Sequence, residues 1–252
     1  GNADFTSVKV NFGPYVKEIY PEYLSDPSIF ACPSDADGST DNWTAGDGSS
    51  LFGTTVSGAG PARTGRGCSH GGSCMNAVDM SYGYTGYMWD RVDDTHPTAT
   101  TDALTQALLG VSGTGPAQAI FWIESIIQGI APHYPPTNNV TKANAINAVT
   151  TKNISVPAGN GNNGGNTVMK LVDGIERFMI TDINNPAATA KAQSNIFIMW
   201  DRLSTKPVDY NHVPGGANLL YLDGHVEFER FPGKAPVQAR FAAFDQLVNE
   251  GN

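Results

Sequence analysis

Between residues 101 and 130 the apolar positions recur at helical spacing. Ile120, Ile123, Ile126, Ile127 and Ile130 share one stripe, with Glu124 and Gln128 between them. Phe121 and Trp122 widen the apolar arc, which predicts a helix packed on two sides. A second amphipathic helix is expected near the C-terminal end, where Val237, Phe241, Phe244 and Val248 mark one face. Elsewhere the period falls to two. Tyr82, Tyr84 and Tyr87 form an alternating aromatic stretch, and Asn195 to Trp200 reads as a buried strand. The apolar run Leu219 to Leu222 meets Asp223-Gly224, after which Val226 and Phe228 alternate with His225, Glu227 and Glu229. This pattern predicts a β-hairpin over 217–231, closed by a type I′ turn at Asp223-Gly224.

Punctuation fills the intervals. Tyr15 to Tyr20 reads as the end of a helix that Pro21 and Pro27 forbid from continuing. Residues 33–76 are rich in Gly, Ser, Thr and Asp with almost no apolar period, a length of loop that something must tie down. Residues 157–167 are a further loop, and Asp173 with Glu176 forms a capping-box pattern that starts a short helix. The fold class is α+β. The expected organisation is one domain over 1–252, elaborated by a loop insertion at 33–76 and a helical and loop insertion at 101–170.

Hydrophobic residues make up 40% of the 252, which suits a chain that buries a core. Acidic residues outnumber basic ones by 24 to 15, and no Lys/Arg cluster exists, which argues against nucleic acid or an anionic membrane as partner. No run of 18 apolar residues is present to span a bilayer. No secretory signal is recognisable, and on that test a trimmed secreted domain and a cytosolic one look alike. Cys68 and Cys74 flank a flexible five-residue spacer that a local disulfide could close, while Cys32 competes for either partner. A disulfide in an oxidising envelope is preferred over zinc, which takes about four ligands at tighter spacings.

Four groups of residues are candidates for chemistry. Asp35, Asp37 and Asp41 surround Gly38 in a loop able to curl around calcium, although Gly46 replaces the terminal glutamate of an EF-hand. Gly67-Cys68-Ser69-His70-Gly71 has the letters of a nucleophile elbow, and the order Ser69, Asp201, His212 suits a hydrolase, but no apolar strand precedes the serine. Asp201, Arg202, Asp209, His212, Asp223 and His225 gather around the final hairpin as a metal or catalytic set, or as turn and anchor residues. His225 is expected at the surface. Trp43, Tyr87 and Trp89, taken as exposed aromatics, would suit a carbohydrate- or surface-binding module.

His212 stands ten residues before Asp223-Gly224. Phe30-Ala31-Cys32-Pro33-Ser34-Asp35 forms an F-x-C-P-S-D element, followed by Ser81-Tyr82-Gly83-Tyr84 and by Gly174 to Pro186 running on to Ile198-Met199-Trp200-Asp201. In this order the blocks resemble the prepilin-type processing-associated H-X9-DG family, related to type IV pilins and type II secretion pseudopilins, with one residue more between His and Asp-Gly than that family has. The resemblance implies a pilin-like fold, an N-terminal helix packed on an antiparallel sheet, with Cys32, His212, Asp223 and Gly224 as structural motif residues. Pilin-like proteins begin with a basic leader and a long apolar helix, and membrane contact would come through that helix; the stretch starting Gly1-Asn2-Ala3-Asp4 carries neither. The implied function is non-enzymatic: a subunit of a secreted or cell-surface filament or pseudopilus in a bacterial envelope. Its partners would be copies of itself, other pilin-like subunits and the assembly machinery. The calcium binding of major pseudopilins adds to the case for Asp35, Asp37 and Asp41.

Overall fold

The structure is a computed structural model that describes residues 22–26, 32–34, 81–110, 112–133, 151–175, 193–212 and 214–250, with the single positions 13, 29 and 149. In chain order the elements are β1 (Tyr82–Gly83), β2 (Thr98–Thr100), α1 (Ala103–Leu109), β3 (Thr114–Pro116), α2 (Ala117–Ile130), β4 (Ile154–Ser155), β5 (Thr167–Val168), β6 (Phe197–Asp201), β7 (Gly216–Tyr221), β8 (Val226–Arg230) and α3 (Ala239–Glu250). The architecture is mixed helix and sheet with antiparallel pairing throughout, in agreement with an α+β class. The expected helix at Glu176, the loop Asp35, Asp37 and Asp41, the pair Cys68 and Cys74, Ser69 and Trp43 all lie outside the described residues.

One four-stranded sheet, in the order β1-β6-β7-β8, carries the architecture. Its inner face is set by β6 and β7, where Trp200 stands opposite Leu219 and Phe197 opposite Tyr221. A register shift between Phe197 and Met199 brings both Phe197 and Trp200 to that face, the side-chain re-aiming that a bulge performs. Phe241 of α3 meets both rings edge-on, at 5.7 and 5.3 Å, and also approaches Trp89. Phe241, Ala242 and Phe244 are wholly buried, so the apolar period at the C-terminal end makes the helix it predicts and seats it on the sheet. Val237 is buried as well but precedes α3.

Helix α2 also follows its period. Ile120, Ile123 and Ile127 are completely buried and Trp122 nearly so, and the helix touches α1, β2, β3 and β4, which accounts for its wide apolar arc. Its two buried polar side chains are both used. Gln118 Oε1 accepts from the backbone N–H of Arg91, and Glu124 accepts from that of Asp102 at 2.7 Å. Asp102 in turn caps α1 by accepting from Thr105 N–H. Burial pushes the Glu124 carboxyl up from its ordinary range, partly offset by the Asp102 N–H.

Two expectations need correction. The hairpin turn is not type I′, because Gly224 alone of the pair has positive φ, at 89°, and Asp223 does not. The backbone of Gly224 donates to Tyr221 O, and Tyr221 N–H donates to His225 O, which makes Leu222, Asp223 and Gly224 a three-residue loop with glycine in the left-handed position. Tyr87 and Trp89 are also not exposed. They are 4% and 2% accessible and pack edge-on around Trp122 at 5.3 and 5.2 Å, so they are core and offer no platform to a sugar.

Candidate functional site

The outer face of the sheet is where the motif residues meet. Strand alternation turns Asp201 of β6 and Asn218 of β7 away from the Trp200–Leu219 side. Asp201 is nevertheless 3% exposed, since the segment preceding β7 folds back over it and carries His212. Its Oδ2 accepts from the backbone N–H of Asn218 at 2.7 Å and from the Asn218 side-chain amide at 2.8 Å. His212 Nε2 lies 2.9 Å from the same oxygen and 3.0 Å from Asn218 Nδ2. The imidazole is flanked edge-on by Phe228 of β8, at 6.0 Å.

Cys32 closes the group from the other end of the chain. It is buried, and its Sγ is 3.5 Å from His212 Nε2, across 180 positions of sequence. Burial pushes the Asp201 carboxyl above its ordinary value, while the Asn218 donors and the attraction of His212 pull it back. A carboxylate taken out of water with two amide donors aimed at one oxygen is held in a single orientation.

The shape of the cluster limits its chemistry. A thiol–imidazole–carboxylate relay needs the acid on the ring nitrogen opposite the one that faces the nucleophile. Here Sγ and the carboxylate both address Nε2, so the three groups converge on a point instead of forming a line. Convergence suits either a hydrogen-bonded latch or a metal. Among the described residues, Cys32, Asp201 and His212 are the group whose possible ligand atoms lie within 4.8 Å of one another.

The other hairpin residues do not join them. Asp223 and His225 sit at the exposed tip, where the Asp223 carboxylate accepts from His225 N–H and the His225 ring stacks on Tyr221 at 4.4 Å. His225 is exposed, Asp223 lies in the turn, and His212 pairs with Asp201 at the entrance of the hairpin. Asp209 is exposed, its carboxylate 3.5 Å from Ser204 Oγ. Asn218 was not foreseen. A lone amide inside the apolar run of β7 was the available signal, because such a residue on a half-buried strand needs a partner.

Comparison with family models, with curated proteins and with solved structures returns no match, so residues and their geometry are what a functional reading rests on.

Proposed function

We propose that this chain is the globular part of a pilin-like or pseudopilin-like subunit, a non-enzymatic component of a filament or pseudopilus in a bacterial envelope. The carrying observation is where the motif blocks lie. Ser81 to Tyr84 supplies β1, Phe197–Asp201 is β6, the His212 to Phe228 segment supplies β7 and β8, and Cys32 caps their outer face. Separate stretches that share a resemblance therefore build one antiparallel sheet and its latch. In these stretches Trp200 and Leu219 pack in the core, Gly224 turns the hairpin and Asp201 and His212 tie its base together, which suits a part whose work is assembly.

The test uses the native cell and the complete precursor. Sheared surface or periplasmic filaments are collected, probed for the chain, and cross-linked in place. The reading expects the chain in the filament fraction, in cross-linked ladders with itself or with pilin-like subunits. A chain recovered only as a free monomer from the medium would overturn it.

A further inference from the structure

We propose that Cys32, Asp201 and His212 form a zinc site with one open coordination position, joining the Cys32 segment to the base of the final hairpin. The ligand set argues for the element. A thiolate, an imidazole nitrogen and a carboxylate oxygen are the three protein ligand types zinc takes, and the sulfur argues against calcium and magnesium, which take oxygen.

The distances argue for the site. With Zn–S near 2.3 Å and Zn–N near 2.0–2.1 Å, tetrahedral geometry separates sulfur from nitrogen by about 3.5 Å. The Sγ to Nε2 distance is 3.5 Å. Nε2 and the Asp201 oxygen are closer, at 2.9 Å, the separation of two atoms that share a proton. Zinc would take the place of that proton, spread the pair by about half an ångström to its own ligand separation, bind the imidazole as the tautomer that leaves Nε2 free, and release the thiol proton to water.

The surroundings are those of a metal ligand shell. Asn218 fixes the carboxylate with two donors, the outer-shell support that orients ligating carboxylates. Phe228 supplies an apolar wall beside the imidazole. Cys32 and Asp201 are each 3% exposed, whereas the His212 side chain keeps 24% of its surface in solvent, so the cation has a way in past the histidine. Three protein ligands leave a fourth position for water or for a donor from another molecule.

The experiment takes the full chain, stripped with a chelator and reduced, and titrates it with cobalt(II) as a spectroscopic stand-in for zinc. One equivalent is expected to raise a near-ultraviolet thiolate-to-cobalt band and visible bands of tetrahedral intensity, and zinc should bleach both. The signal should survive in the Cys68→Ser/Cys74→Ser double variant and vanish in Cys32→Ala. His212→Gln should weaken binding by at least tenfold. A thiolate band that persists in Cys32→Ala, or that disappears in the double variant, would assign the metal elsewhere and overturn the proposal. Since Cys32→Ala can fail to fold, a second measurement uses the unaltered chain. Zinc should slow alkylation of Cys32, identified by peptide mass spectrometry, by tenfold or more. Equal rates with and without zinc would sink the site.

Discussion

Single residues decide how closely the strands can approach and how they turn. Gly83 stands opposite Trp200, and a Cβ there would fall well inside van der Waals contact of the indole Nε1 and Cε2. Gly83→Ala is expected to cost about 1–3 kcal/mol through overpacking, read from a urea unfolding curve with unchanged m-value. Beyond its own chain neighbours Gly224 has nothing within 4 Å of where a Cβ would stand, so its constraint is the positive φ. Gly224→Val should therefore lose about 1–2 kcal/mol, from the clash of a Cβ with its own backbone in the left-handed region and not from neighbouring side chains. Asp223→Ala removes an exposed carboxylate that accepts from His225, and a thermal melt should show a smaller loss than Gly224→Val. That Asp-Gly made the turn was legible in the sequence, but its type was not. Asp tolerates both signs of φ, so the dipeptide alone does not say whether the loop holds two residues or three. The sequence leaves Tyr87 and Trp89 open for a similar reason, since aromatics just after a glycine look alike whether they line a groove or fill a core.

Elements were legible where the apolar period was long. Helices α2 and α3, strand β6 and the hairpin all fall where spacing puts them, because each buries a face that the period defines. What spacing could not show is the set of buried polar joints between elements. Glu124 links α2 to the cap of α1, and its long-range partner has no signature in the local sequence. This joint carries a pH dependence. Burial raises the folded-state value of Glu124 above its ordinary 4.5, so its contribution is fully present below that pH and is lost as pH rises through the raised value. Glu124→Gln keeps an acceptor for the Asp102 N–H and removes the titration. Melting midpoints should fall more for the unaltered chain than for the variant between about pH 4.5 and neutrality. Parallel profiles would show that Glu124 is not the group responsible.

At the scale of the whole molecule, closure depends on partners distant in sequence. Among the described residues strand β1 pairs only with β6 in the sheet, and the wholly buried Asp245 of α3 accepts from Trp200 Nε1 at 3.1 Å. Chains cut after residue 236 would expose the bed of Phe241 and Phe244, and each large buried aromatic is worth about 3–5 kcal/mol against alanine. Such chains are expected to lose the cooperative thermal transition and the near-ultraviolet circular dichroism of packed tryptophans. A retained transition would mean that α3 is an accessory to a core complete without it.

The order of the strands also has a meaning in time. A ribosome delivers β1 long before β6, and at about 5–20 residues per second the 114 positions from Gly83 to Phe197 take roughly 6–23 s. Throughout that interval the strand that β1 pairs with among the described residues has not been made, and the aromatic centre has no lid until α3 has emerged. The four-stranded sheet therefore cannot close on the nascent chain before β6 is made, although the local pairs β2–β3 and β4–β5 lie wholly within the part already synthesised. Chains stalled before α3 clears the exit tunnel should be digested by a protease at concentrations that spare chains stalled, on an added linker, after it has cleared.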